Sequence, residues 1–208
     1  MRTDAVLLLH GLWMNSVAMF YLARALDDAG FTTESFNYRS MRGTMSEHVV
    51  ALAERVAGTS ADVVHIVAHS LGGIVALNYL QGTRDERIGR VVLLGAPVGG
   101  SRAARGLADW PGGEWMLGRS IDTWRADGRP QLDAAACVGA IAGSRPFGLG
   151  SVFMDIAEPS DGLVTVEETR LPGMSDHLVL PVSHSGMLIS HEVARQTAAF
   201  LRTGRFER

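Results

Sequence analysis

A serine between an apolar segment and a helical segment is the first residue whose setting could support chemistry. Residues 63–68 are rich in β-branched side chains and predict a strand, and residues 72–80 predict a helix. Ser70 would then lie on a sharp strand-to-helix turn, where Ala68 and Gly72 leave the room that a strained backbone needs. Such a turn exposes the hydroxyl group, as a nucleophile requires. The alternative is a helix N-cap serine beside a patch of small packing residues.

The loop after the first predicted strand, residues 5–9, supplies candidate hydrogen-bond donors. It reads His10-Gly11-Leu12, and the glycine frees the backbone just before the next helix. An oxyanion hole takes one N–H from the residue after the nucleophile and one from a loop of this kind, so Leu71 and Leu12 are the predicted donors. An ordinary strand-to-helix turn with a packed histidine is the alternative. Trp13 and Met14 adjoin Leu12 and are predicted to line a substrate pocket, unless they simply begin a packed helix.

A serine hydroxyl is a poor nucleophile at neutral pH and requires a neighbouring base. Of the seven histidines, His184 is the predicted base, because it follows the last predicted strand at the edge of the sheet where Ser70 lies. His191 is its main rival, but Ser190 before it is typical of an N-cap, so His191 is expected to begin the final helix.

The base in turn needs an acid that fixes its tautomer and stabilises the imidazolium. Asp161 is the predicted acid, because it follows a predicted strand over residues 152–157 and precedes Gly162 in a tight loop. Glu158 is a rival, and a plain turn aspartate is the structural alternative for Asp161. Ser70, Asp161 and His184 thus occur in that order, each just past the carboxyl end of a predicted strand.

Strands and helices alternate along the chain, which predicts an α/β fold of about six mostly parallel strands with helices on both faces. Pro181 indicates that the last strand lies at an edge of the sheet. The predicted strands cover residues 5–9, 31–37, 63–68, 91–94, 152–157 and 178–182. The predicted helices cover residues 16–29, 45–56, 72–80 and 193–201.

One long gap, residues 97–150, interrupts this alternation inside a single predicted domain of residues 1–208. The gap is interpreted as a cap or lid insertion, and a helix is predicted over residues 133–142. It holds three of the four tryptophans, Trp110, Trp115 and Trp124, which would form an apolar lid or, as aromatic residues more often do, belong to a core.

The composition excludes several classes of function. The net charge of −3 predicts no nucleic-acid binding. All 19 basic residues are arginine, which excludes Schiff-base, P-loop and kinase chemistry that depends on lysine. A single cysteine, Cys137, excludes an intramolecular disulfide.

No apolar run is long enough for a signal segment or a membrane span, so we expect a cytoplasmic protein, or a mature one whose signal was removed. A serine mechanism needs no metal and no organic cofactor.

The motifs together resemble those of the α/β-hydrolases, in particular small bacterial lipases and esterases. Ala68-His69-Ser70-Leu71-Gly72 is similar to the nucleophile elbow in which alanine replaces the first glycine of G-x-S-x-G. The His10-Gly11-Leu12 loop resembles the oxyanion loop of that family, and the segments that begin at Asp161 and His184 resemble its acid and base segments. The segment Leu94-Gly95-Ala96-Pro97 resembles the loop after the strand that follows the elbow helix, as in class 2 lipases and the PGAP1-like family.

The resemblance implies a minimal α/β-hydrolase fold that lacks the first two strands of the family. It also implies a carboxylic ester hydrolase that acts on a small-molecule ester with an apolar acyl chain. A thioesterase, an acyltransferase or an amidase would use the same three residues, and a non-catalytic binding protein on a hydrolase fold is the non-enzyme alternative. The oligomeric state stays open.

Overall fold

A parallel six-stranded sheet in the order β2-β1-β3-β4-β5-β6 forms the centre of the fold. The computed structural model describes residues 3–83, 85–108, 112–120, 132, 136–147 and 159–208. The sheet confirms the predicted α/β class. Its strands are β1 (Asp4–Leu9), β2 (Thr32–Phe36), β3 (Val63–His69), β4 (Ile88–Leu94), β5 (Cys137–Gly143) and β6 (Asp176–Leu180).

The strand order creates a switch point at β1. The chain leaves β1 for β2 on one side and then returns to β3 on the other side. In open parallel sheets, the crevice outside the carboxyl ends of the strands at such a point is where ligands bind. The edge position of β6 was expected from Pro181 and is confirmed.

Helices cover both faces of the sheet. On one face α2 and α3 pack together over a core that contains Leu52, Val56 and Leu77, and on the other face α1 packs with α6 around Leu22 and Phe200. A capping box formed by Thr44 and Glu47 begins α2. The helices are α1 (Phe20–Asp28), α2 (Met45–Gly58), α3 (Leu71–Gly82), α4 (Arg102–Ala108), α5 (Gly113–Leu117) and α6 (His191–Thr203).

The fifth strand differs from the prediction. Cys137–Gly143 is a strand, so the helix predicted over residues 133–142 is wrong from Cys137 onward, and the strand predicted over residues 152–157 lies outside the described residues. Small residues suit this strand because Phe200 of α6 lies directly over it. A Cβ atom on Gly139 would meet the Phe200 ring at 2.3 Å. The run of alanines and glycines therefore reflects close packing rather than helix propensity.

The predicted insertion of residues 97–150 accordingly contains part of the sheet as well as α4 and α5. Glu168 joins α4 to the segment that carries Asp161, since its carboxylate accepts the Arg102 N–H at 2.6 Å and its carbonyl accepts the Gly99 N–H at 2.7 Å. Trp115 is exposed, whereas Trp110 and Trp124 lie outside the described residues. In the part of the chain that the structure describes, no helix is long and apolar enough to cross a membrane.

Candidate active site

Ser70 lies on the strained turn that the sequence predicts. Its backbone has φ 53° and ψ −120°, in a region that L-residues rarely occupy, and α3 begins at the next residue. The turn is held from both sides: the Ser70 N–H donates to the Leu94 carbonyl at 3.0 Å, and the Ser70 carbonyl accepts the Gly73 N–H at 2.9 Å. The surrounding sheet therefore maintains a conformation that is costly for an isolated serine.

Two glycines bring the elbow against the loop that follows β1. A Cβ atom on Gly72 would lie 2.7 Å from the His10 carbonyl oxygen, and one on Gly11 would lie 3.1 Å from the Ser70 Cβ. Both distances are shorter than ordinary van der Waals contact, so side chains at these positions would force the two segments apart. The glycines thus bring the loop that carries Leu12 against the turn at Ser70 and the start of α3 at Leu71.

His184 and Asp161 form a buried pair. His184 Nδ1 lies 2.8 Å from Asp161 Oδ2, and the two residues are 5% and 0% exposed. The other carboxylate oxygen accepts the N–H groups of Leu163 and Val164, at 2.9 Å and 2.8 Å. Gly95 packs behind the pair, where a Cβ atom would lie 2.9 Å from Asp161 Oδ2. Asp161 has no unsatisfied oxygen and is fixed in a single orientation toward the imidazole.

The described structure brings Asp161 to the end of β5. A Cβ atom on Gly143, the last residue of that strand, would lie 2.6 Å from the Asp161 Cβ. His191, the rival base, is exposed at the start of α6 behind its N-cap Ser190. Glu158, the rival acid, lies outside the described residues.

His69 is a partner of His184 that sequence reasoning left unassigned. Its Nε2 lies 3.0 Å from the His184 carbonyl oxygen, and the centres of the two rings are 4.6 Å apart. Because a carbonyl only accepts, Nε2 carries the proton and Nδ1 is left without a hydrogen-bond partner among the described residues. Burial, followed by the proximity of His184, lowers the pKa of His69 well below its ordinary value. His69 is thus a neutral donor that fixes the backbone of His184.

Tyr38 is a second residue that sequence reasoning missed. Its hydroxyl donates to the His10 carbonyl at 2.7 Å, its N–H donates to His10 Nε2 at 3.4 Å, and the two rings stack with centres 4.4 Å apart. His10 Nδ1 donates to the Gly11 carbonyl at 2.9 Å, and burial lowers the pKa of His10. Tyr38 follows β2, whose carboxyl end meets that of β1. The pairing of β2 with β1 is the feature of the predicted topology that could have pointed to Tyr38.

A cavity of about 390 Å³ opens beside Ser70 and His184. Leu12, Trp13 and Met14, which were predicted at this site, all line it, and Trp13 is 54% exposed with a φ of 59°. Among the described residues that line the cavity, none is charged. The rest of the wall is mainly apolar and comes from α4, α5 and neighbouring loops: Pro97, Ala103, Ala104, Leu107, Leu117, Phe147, Leu163 and Val164.

Within the described ranges, no group of three or more histidine, cysteine, aspartate or glutamate side chains is arranged so that it could hold a metal ion. His177 and Asp176, which lie on β6, are not part of the cavity wall.

The described structure combines a parallel sheet, a strained serine turn and a buried histidine–aspartate pair. The chain belongs to the alpha/beta hydrolase family, whose sequence pattern it matches over residues 6–200. No curated protein sequence matches significantly.

Solved structures of bacterial, archaeal and metagenomic enzymes are similar in fold. The mature lipase BlEst2 of Bacillus licheniformis matches with a TM-score of 0.75 and 18% identity, over 97% of this chain and 92% of that one. In its propeptide form the match covers 51% of the lipase, so this chain spans about half of that precursor.

Two esterases are also similar. The metagenomic carboxyl esterase MGS0156 gives a TM-score of 0.68 at 20% identity, over 87% of this chain and 64% of that one. A carboxylesterase of Nitrososphaera gargenis gives 0.65 at 16% identity, over 98% and 91%. At these identities the matches establish a shared fold.

Proposed function

We propose that this protein is a serine esterase that hydrolyses carboxylic esters through Ser70, His184 and Asp161. The observation that carries the proposal is the strained Ser70 backbone beside an uncharged cavity that His184 also lines. A folded chain retains a strained non-glycine residue only where the surrounding structure enforces it, and such residues cluster at active sites.

In the proposed mechanism the Ser70 hydroxyl attacks the ester carbonyl while His184 Nε2 takes its proton. Asp161 holds Nδ1–H, which leaves Nε2 as the acceptor and stabilises the imidazolium once it forms. His184 then protonates the leaving alcohol, and an acyl group remains bonded to Ser70. Water attacks this acyl group with His184 again as base, so each cycle consumes one water and releases one acid and one alcohol.

The negative charge that develops on the carbonyl oxygen needs donors near the elbow. We assign this role to the N–H groups of Leu12 and Leu71, whose loops meet where Gly11 and Gly72 pack. In related sites a donor of this type contributes about 3 to 4 kcal/mol to stabilisation of the transition state. The positive end of α3 lies at the same point and adds to the field.

The cavity supports a substrate with an apolar acyl chain. Its wall of uncharged side chains would bury an alkyl chain at a gain of about 0.8 kcal/mol per methylene group. A carboxylate or ammonium group in the same space would lose its hydration without gaining a partner. The expected substrate is therefore a small-molecule ester, and Trp13 and Met14 form part of the acyl wall.

The test is hydrolysis of nitrophenyl esters over a series of acyl lengths, with thioester and amide analogues in parallel. Ser70→Ala and His184→Ala are expected to lose at least about a thousandfold in kcat, whereas His191→Ala removes an exposed histidine and is expected to keep wild-type turnover. Circular dichroism would check that all variants fold. Full activity in folded Ser70→Ala would overturn the assignment, and faster turnover of thioesters than of matched esters would replace the esterase by a thioesterase.

A further inference from the structure

A second depression lies beside the acyl cavity and shares a wall with it. Trp13 and Met14 line both spaces, and beyond them the depression of about 440 Å³ is formed by the turn that follows β2. Two arginines, Arg39 and Arg42, line it, and no acidic residue does so among the described residues. We call this space the arginine groove; its other lining residues are Asn15, Asn37, Tyr38, Ser40 and Met41.

The arginine groove carries positive charge that the described residues do not neutralise. Arg39 and Arg42 are both exposed, and neither makes an ion pair with another described residue. An adjoining depression shares Met41 and Arg42 and adds Arg119, whose guanidinium lies 3.9 Å from Glu47. Among the described residues, three arginines lie beside one carboxylate, which leaves a net positive charge next to the acyl cavity.

The turn that carries these arginines is held in one conformation. The Arg39 carbonyl accepts the N–H groups of Arg42 and Gly43, at 2.9 Å and 2.8 Å. A Cβ atom on Gly43 would lie 2.3 Å from the buried His48 ring, so the turn packs tightly on α2. At its other end Tyr38 is bonded to His10. The backbone of this turn is thus fixed relative to the loop that carries Leu12, and the exposed guanidinium groups extend from it.

We propose that the arginine groove binds a phosphate group in the alcohol portion of the ester substrate. The inference rests on the proposed esterase function and names its substrate class: an acyl ester of a phosphorylated alcohol, such as a monoacylglycerol phosphate. With the acyl chain in the uncharged cavity and the carbonyl at Ser70, the alcohol portion extends past Trp13 and Met14 into the groove. Arginine forks suit a phosphate because they donate two parallel hydrogen bonds to its oxygens.

The kinetic test compares monooctanoylglycerol with its phosphate monoester, which differ only in the anionic group. We expect Arg39→Gln/Arg42→Gln to lower kcat/KM for the phosphate ester at least about tenfold, chiefly through KM, and to leave the neutral ester within about twofold. The matched control is Arg24→Gln/Arg55→Gln, which removes two positive charges from the exposed surfaces of α1 and α2. Equal effects of the two double variants, or no change in the ratio of the two substrates, would overturn the inference and leave the esterase proposal intact.

A binding measurement tests whether the arginine groove binds phosphate without requiring turnover. In a Ser70→Ala background, calorimetry would compare monooctanoylglycerol phosphate with monooctanoylglycerol, both below their aggregation limits. We expect the phosphate ester to bind more tightly, and Arg39→Gln/Arg42→Gln to abolish this preference while the Arg24→Gln/Arg55→Gln control retains it. If no ester is hydrolysed, the esterase proposal fails, and this measurement still decides whether the groove binds phosphate. Equal affinity for the two probes would contradict the inference.

Discussion

The carboxylate of Asp161 orients His184 with one oxygen while the other oxygen holds its own loop. Oδ2 lies 2.8 Å from His184 Nδ1, and Oδ1 accepts two backbone N–H groups. Each oxygen accepts at least one hydrogen bond, so the carboxylate cannot rotate without breaking hydrogen bonds in a buried site. A side chain of the same shape but without the charge can therefore test what the charge of Asp161 contributes.

Asp161→Asn is such a substitution. The amide oxygen of asparagine can accept the Leu163 and Val164 N–H groups, which turns the amide NH₂ toward His184 Nδ1. Nδ1 must then accept, the proton moves to Nε2, and the imidazole can no longer take a proton from Ser70. We expect kcat to fall about 10⁴-fold with little change in KM. The measurement is steady-state hydrolysis of a nitrophenyl ester together with thermal unfolding; a folded variant with near wild-type kcat would contradict the role of the carboxylate.

The strain at Ser70 makes a prediction about stability. Glycine adopts a positive φ at little cost, so Ser70→Gly is expected to raise the free energy of unfolding by about 1 kcal/mol while it abolishes hydrolysis. Ser70→Ala is the matched control, because it removes the hydroxyl group but keeps the Cβ atom and thus the strain. Denaturant unfolding of the three proteins gives the comparison. Equal stability of the glycine and alanine variants would show that the turn stores no strain.

The close approach at Gly72 gives a third prediction. Gly72→Ala would push a Cβ atom against the Leu9 and His10 carbonyls, at 2.9 Å and 2.7 Å, and is expected to cost at least about 2 kcal/mol of unfolding free energy. Gly82, the last residue of the same helix, has nothing within 4 Å of its Cβ position. Gly82→Ala is therefore expected to be neutral or stabilising by up to about 1 kcal/mol. Similar losses in both variants would point to helix α3 as a whole rather than to the contact with β1.

The elbow and its neighbours could be predicted from the sequence because local rules specify them. A β-branched strand, a serine and small flanking residues determine the turn at Ser70, and the order of the strands brings the β1 loop beside it. β5 could not be predicted in the same way, because its small apolar residues suit a helix as well as a strand. Tertiary contacts, such as those of Gly139 with Phe200 and of Gly143 with Asp161, explain its composition.

The supporting contacts escaped sequence reasoning for a different reason. The hydrogen bonds from Tyr38 to His10 and from His69 to the His184 carbonyl join residues that are 28 and 115 positions apart in the chain. No local pattern specifies such pairs, and a tyrosine after a strand has many other uses. The same holds for Arg39 and Arg42, whose spacing resembles that of any exposed turn until the acyl cavity is seen beside it.

The half-buried His177 leads to a prediction about how the free energy of unfolding depends on pH. Burial, reinforced by the charge of Arg170, lowers its pKa to about 4 from 6.5, and its Nε2 lies 2.8 Å from Thr169 Oγ1. The unfolded chain binds a proton at this histidine below about pH 6.5, whereas the folded chain does so only near about pH 4. Between these two values the unfolded state therefore binds more protons than the folded state. As the pH falls through this interval, His177 accordingly lowers the free energy of unfolding. His177→Gln keeps a donor for Thr169 but cannot titrate. We expect it to lose less stability than the wild type between about pH 7 and about pH 4.5, as measured by denaturant unfolding at each pH. Parallel curves for the two proteins would mean that His177 takes up its proton equally in both states.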